Sequence, residues 1–198
     1  LALLAIAFLV GCSAKDTSSN NKLSNSEIAK LGKKYGGVYV FNKKFEKEID
    51  DRERERKEAI KELKGRDLGG GLYAVDTKPV DQKFPQTLSN GKKYYTTTRA
   101  YGEDYNKQAK LPKIYKEKII NFIGQEDYNK FKPSMLLSYF YVDDNKNIIP
   151  IVVSVYYTIG YTKYGLFGDE GRGFSLSRRD IKDVGGDSVF YLEDTEKR

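Results

Sequence analysis

Residues 148–159 read Ile148-Ile-Pro-Ile-Val-Val-Ser-Val-Tyr-Tyr-Thr-Ile159. Successive side chains of a strand point to opposite faces of a sheet, so each face can be considered separately. One face would carry Ile149, Ile151, Val153, Val155 and Tyr157, and the other Ile148, Val152 and Tyr156. Because both faces are apolar, the pattern predicts a central strand that is buried on both sides.

A partner strand is predicted just before it, at 135–142, with the polar residues 143–147 as the hairpin turn. Asp143 and Asn145 have the first spacing of a calcium loop, but Ile148 stands where that loop needs glycine, so we interpret the segment as a turn. Shorter strands are predicted at 38–41, 72–75, 94–98, 164–167, 173–177 and 188–192.

Helices are predicted mostly in the first two thirds of the chain. Ser24 and Glu27 have the spacing of a capping box, and Gly32 would end this first helix. The longest helix should cover 43–64, with a solvated middle where Arg52 and Arg56 interrupt its apolar face.

A further helix at 113–123 carries a continuous apolar stripe and should pack on the sheet. Helices early, strands late and short connections together predict an α+β fold. We expect an antiparallel sheet with two or three helices packed on one face.

Composition limits the chemistry that the chain can perform. It has 198 residues, a net charge of +7, one cysteine and no histidine. A single cysteine allows no intrachain disulfide, and the lack of histidine removes the usual near-neutral general base and the commonest metal ligand. The glycines of 168–173 are in the wrong order for a dinucleotide loop. We therefore expect no metal, no nucleotide and no other cofactor.

The first twelve residues, Leu1-Ala-Leu-Leu-Ala-Ile-Ala-Phe-Leu-Val-Gly-Cys12, form an uncharged apolar run that ends at the only cysteine. The run is too short to cross a bilayer but has the length of a secretory signal core. Leu9-Val10-Gly11-Cys12 resembles a lipobox, and the family it resembles is that of bacterial envelope lipoproteins. The resemblance implies cleavage before Cys12 and acyl chains on that residue, which would anchor the protein to a membrane.

The same resemblance divides the chain into three parts. Residues 1–11 would be a lipoprotein signal peptide that lacks its start, residues 12–22 a lipid-anchored flexible tether, and residues 23–198 a single globular domain. Ser13 after the cysteine implies, by the family's sorting rule, an outer-membrane location if the source has two membranes. An ordinary signal peptide followed by a free thiol and a longer transmembrane span are the alternatives.

Tyrosines are interleaved with cations after residue 93. As ligand-binding candidates we single out Tyr94, Tyr95, Arg99, Tyr101 and Tyr105. Tyrosine gives rigid amphipathic contact area and the cations attract anionic polymers, so we expect a protein or an anionic cell-envelope polymer as partner. The alternative is that these tyrosines are sheet residues and the cations only solvate the surface.

No signature in the chain fixes a reaction, so the sequence favours a non-enzymatic binding domain on a lipid anchor. The alternative is a lipid-anchored hydrolase of cell-wall or surface glycans that uses two carboxylates. Its candidate residues are the adjacent acidic pairs Asp50/Asp51, Glu126/Asp127, Asp169/Glu170 and Glu193/Asp194. A cleft holding two carboxylates would favour the hydrolase, and an exposed contact surface would favour the binder.

Overall fold

The computed structural model describes residues 23–96, 109–171 and 173–192. Five helices lie within these ranges: α1 Asn25–Tyr35, α2 Lys43–Lys61, α3 Lys78–Lys83, α4 Lys113–Ile123 and α5 Gln125–Lys130. Eight strands lie there too: β1 Gly37–Val40, β2 Arg66–Gly69, β3 Leu72–Ala74, β4 Tyr94–Tyr95, β5 Ser134–Val142, β6 Ile148–Asp169, β7 Gly173–Val184 and β8 Ser188–Tyr191. The α+β fold, with helices packed against a sheet, is confirmed.

The main sheet is organised around β6. Its order is β4-β5-β6-β1-β8, β7 also pairs with β6, and β2 and β3 form a small separate hairpin. The first half of β6 pairs with β5 on one side and β1 on the other, so Val153 lies between Leu137 and Tyr39. Val153 and Tyr39 are fully buried. The predicted central strand is therefore confirmed for this half of β6.

One strand of the sheet runs in a direction that the sequence did not predict. β8 pairs with β1 in parallel, so the sheet is mixed and not purely antiparallel. The connection from β7 to β8 is only three residues long, 185–187, and β8 keeps the direction of β7. Since β7 and β1 both run antiparallel to β6, β8 must run parallel to β1.

Helices cover both faces of the sheet, whereas we expected them on one. The helices α1, α4 and α5 share a core with Tyr39, Val155 and Tyr157 on the first face. On the second face, Ile49 of α2 packs with Val40 and Val152. A strand that is apolar on both faces requires this second layer, because its even-numbered side chains would otherwise remain in water.

The first helix begins at its predicted cap but ends later than predicted. The amide of Glu27 donates to Ser24 Oγ, and the Glu27 carboxylate accepts from the amide of Ser24 at 2.8 Å, which confirms the capping box. Gly32 lies inside α1, and a Cβ there would lie 2.7 Å from the Val184 carbonyl oxygen. Gly32 therefore allows the close approach of α1 to β7, and the helix ends at Gly36.

The middle of α2 contacts the segment 76–92 through Arg56, so the prediction of a solvated middle is wrong at this residue. The Arg56 side chain is 11% exposed and donates to the Phe84 carbonyl at 2.6 Å and to Asp81 Oδ1 at 2.5 Å. Both acceptors belong to the segment 76–92, in which residues 78–83 form α3. The basic residue on the apolar face of α2 therefore holds this segment in place.

Candidate functional site

A long hairpin extends from the main sheet. β6 continues through Gly160 to Asp169, and β7 returns beside it as far as Val184, where two separate short strands were predicted. We call residues 160–182 of this hairpin the arm. Its two strands pair with each other along the whole arm, and in the described part of the chain β7 pairs with no other strand.

Glycines lie at the turn and at the bulge of the arm, where Gly165, Gly168 and Gly173 have positive φ. A Cβ on Gly168 would lie 2.0 Å from the Gly173 carbonyl oxygen, so only glycine permits the close pairing near the tip. The register shifts between Tyr164 and Phe167, which marks a β-bulge. At the tip, Asp169 Oδ1 accepts from the amide of Gly171 at 3.0 Å and fixes the turn.

Large apolar side chains of the arm project into solvent. The exposed ones are Tyr161, Tyr164, Leu166, Phe174, Leu176 and Ile181. Tyr164 is 80% exposed and Leu176 is 77% exposed. A two-stranded ribbon on its own is only marginally stable in water, and exposed apolar clusters usually mark contact sites. The arm is therefore a candidate contact surface.

The arm continues an uncovered part of the sheet. Leu136, Ser154, Val38 and Val189 lie in register across four strands, and register partners point to the same side. Val38 packs against the cluster around Ile49, so this row lies on the face of the sheet that α2 covers. Leu136 and Val189 of the same row are nevertheless exposed. By the alternation along β6, Tyr164 lies on the same face ten residues after Ser154, so this face carries exposed apolar side chains in both the sheet and the arm.

The tyrosine segment is only partly described, and its described residues are inside the fold. Tyr94 is 1% exposed, and its hydroxyl donates to Glu53 Oε1 at 2.7 Å. Burial and the adjacent Glu53 carboxylate raise the pKa of Tyr94. Tyr95 stacks on Phe140 with 5.2 Å between ring centroids. Tyr94 is thus a core residue and cannot serve as a contact surface.

The other predicted site residues lie outside the described ranges. They are Cys12, Arg99, Tyr101 and Tyr105. Their roles in lipid attachment and ligand binding stay predictions.

An open groove of about 510 Å³ lies between α2 and the segment 87–89. Its lining includes Glu48, Asp51 and Glu55, so it is the candidate cleft for a pair of catalytic carboxylates. Its acidic residues already have structural partners. Glu48 accepts from the amide and the hydroxyl of Ser89 at 2.9 and 2.7 Å, and Asp51 pairs with Arg54 at 2.6 Å. Burial would raise the pKa of Glu48, but the Ser89 hydrogen bonds outweigh it and lower the pKa. These carboxylates anchor a loop and a helix surface.

The remaining described acidic pairs lie in different elements, and the pair Glu193/Asp194 lies outside the described residues. Asp127 of α5 accepts from Lys130 and from the Tyr35 hydroxyl, and these bonds hold its pKa at about 2. Glu126 pairs with Lys130 at 2.9 Å, whereas Asp169 and Glu170 lie at the tip of the arm. A carboxyl held in its ionised form cannot serve as the general acid that glycoside hydrolysis requires.

Within residues 23–96, 109–171 and 173–192, no three Cys, Asp or Glu side chains come together as metal ligands. No helix in this part of the chain combines the length and the apolar character needed to span a bilayer.

The sequence contained a signal for the arm that our interpretation missed. Apolar residues recur at short intervals on either side of the 168–173 turn, which is the pattern of one long hairpin. Comparison with protein-family models, with curated protein sequences and with solved structures finds no match to this chain.

Proposed function

We propose that this chain is a lipid-anchored protein of the bacterial cell envelope whose α+β domain binds a protein partner and performs no catalysis. The observation that supports the binding role is the arm, whose large apolar side chains are exposed on a two-stranded ribbon that no other strand of the described residues covers. The lipobox ending at Cys12 supports the anchor. Burial of the arm by a partner would remove this apolar surface from water, at about 25 cal/mol per Å².

The charges of the arm favour a protein over an anionic polymer as the partner. Lys163, Arg178 and Lys182 are interspersed with Asp169 and Asp180, and Arg178 pairs with Asp180 at 3.1 Å. An anionic polymer selects a continuous basic surface, because its affinity comes from many cation contacts. Mixed charges around exposed aromatic and aliphatic side chains are instead typical of protein interfaces.

The proposal is tested by capturing partners from native envelopes with the full chain. Tyr164→Ser combined with Leu176→Ser should abolish capture of the specific partner without unfolding the domain, since both side chains are exposed. The matched control is Leu68→Ser with Leu72→Ser, which removes exposed apolar groups from the separate β2–β3 hairpin and should leave capture intact.

Three results would contradict the proposal. One is equal capture by the arm variant and the control variant, which would exclude the arm as the binding surface. Another is capture that disappears in high salt, because that would indicate an anionic polymer. The third is turnover of a cell-wall glycan by the purified chain.

A further inference from the structure

We infer that a second copy of this chain pairs with the outer edge of β7, so that the two sheets join across a two-fold axis at Ile181. Residues 173–184 pair with β6 on one side, and within the described residues no strand covers the other side. Such an edge presents backbone donors and acceptors to any strand that can align with it. This inference concerns self-association and goes beyond the partner binding proposed above.

The sequence of this edge is complementary to itself. It reads Arg179-Asp180-Ile181-Lys182-Asp183. Residues at equal distances before and after Ile181 therefore carry opposite charges. In an antiparallel pair centred there, Asp180 lies opposite Lys182 of the partner subunit, and Arg179 lies opposite Asp183 of the partner subunit. Each contact occurs twice because a two-fold interface is isologous. Opposite charges that face each other across strands stabilise the pairing.

The same residues disfavour other symmetric registers. Moving the two-fold axis to residue 179, 180, 182 or 183 sets a charged side chain against its own copy. Like charges directly opposite each other destabilise a strand pair. Ile181 is the one position between 179 and 183 where the axis meets an uncharged side chain, and that side chain is 75% exposed. Among two-fold axes at residues 179–183, the charge order therefore favours the one at Ile181.

The contacts already present around this edge are compatible with the pairing. Asp183 Oδ1 accepts from the Thr158 hydroxyl at 3.0 Å, and Asp180 Oδ2 accepts from Arg178 at 3.1 Å. A carboxylate has further lone pairs and can accept from a second donor. α1 approaches β7 at Val184, so the pairing is centred on 179–183 and does not extend far beyond it.

The register is tested by cysteine cross-linking of the full chain in membranes. Side chains directly opposite in an antiparallel pair have Cβ atoms about 5 Å apart, so Ile181→Cys should give a disulfide-linked dimer under mild oxidation. Leu176→Cys is the control, because its side chain is similarly exposed but would lie about 33 Å from its own copy. The unmodified chain, with Cys12 alone, gives the background.

Charge exchange tests the complementarity independently. Asp180→Lys and Lys182→Asp should each weaken dimerisation about tenfold, since each creates two like-charge contacts. The double variant should restore dimerisation to within about threefold of the original, as measured by analytical ultracentrifugation of the purified chain. Equal cross-linking at both cysteine positions, a monomer at all concentrations, or a double variant as weak as the single ones would each overturn the inference. None of these measurements involves the envelope partner.

Discussion

Replacement of Arg56 by alanine should destabilise the domain far more than replacement of its neighbour Arg54. Arg56 is 11% exposed, and its guanidinium bridges α2 to Asp81 and to the Phe84 carbonyl. Arg54 is 69% exposed and pairs with its helix neighbour Asp51 at 2.6 Å. The two positions lie on the same helix, and both variants change helix propensity equally.

The expected loss of stability depends on the hydrogen-bond acceptors that lose their donor when each guanidinium is removed. A hydrogen bond from a charged donor contributes about 1.5 to 3 kcal/mol, and the Phe84 carbonyl would lose its charged donor. The Asp81 carboxylate is half exposed, so loss of that ion pair adds well under about 1 kcal/mol. We expect Arg56→Ala to cost about 3 kcal/mol. Arg54→Ala should cost less than about 0.5 kcal/mol, because its ion pair is solvated.

Equilibrium unfolding in urea, followed by circular dichroism, measures both losses. Arg56→Lys should keep the charge but recover little stability, since one ammonium group cannot reproduce the fork that reaches both acceptors. If Arg56→Ala cost no more than Arg54→Ala, then the segment 76–92 would not be held by this contact. The assignment of Arg56 as its anchor would then be wrong.

Three further predictions concern the strand pairing, the acid stability and the membrane anchor. Gly37→Ala should lower the free energy of unfolding in urea by about 3 kcal/mol or more, because φ at Gly37 is +147° and the new Cβ would lie 2.2 Å from the Ser188 carbonyl oxygen of β8. The control is Gly160→Ala, which should change that free energy very little because the space around Gly160 is open. Asp127, whose pKa is lowered to about 2 chiefly by Lys130, stabilises the fold above its unfolded pKa of about 4. The stability difference between Asp127→Asn and the original chain should therefore be full at pH 6 and vanish as the pH falls to about 2; a constant difference would contradict this. Cys12→Ala should move the protein out of the membrane fraction and stop palmitate labelling, and unchanged labelling would refute lipid attachment.

Local signals predicted the parts of the fold that depend on neighbouring residues. Pro112 and Gly124 bound α4 over 113–123 as predicted, and the hydrogen bonds of the capping box at Ser24 are present. The alternation in 148–159 also identified the strand on which the sheet is built. In each case the deciding interaction spans only a few positions in the sequence.

Features that depend on distant residues could not be predicted in the same way. Gly32 was interpreted as a helix end, but it is glycine because Val184 approaches it from β7. Arg56 appeared to interrupt an apolar face, but its partners are 25 and 28 residues away. The sequence predicts Tyr94 as a contact residue, but its hydroxyl donates to Glu53, which is 41 residues away in the sequence. In each case the role of the residue is set by a contact with a residue distant in the sequence.

The first helix of the described chain begins beside the base of the arm. Asn25, at the start of α1, donates from Nδ2 to the Gly160 carbonyl at 2.7 Å, and Gly160 is the first residue of the arm. Cys12 precedes Asn25 by 13 residues. A fully extended segment of that length spans at most about 47 Å, which limits the distance between a lipid on Cys12 and the base of the arm. A lipid on Cys12 would therefore confine the arm and the β7 edge near the membrane surface. Confinement raises the effective concentration of copies, so an edge pairing that is weak in solution can still form on the membrane.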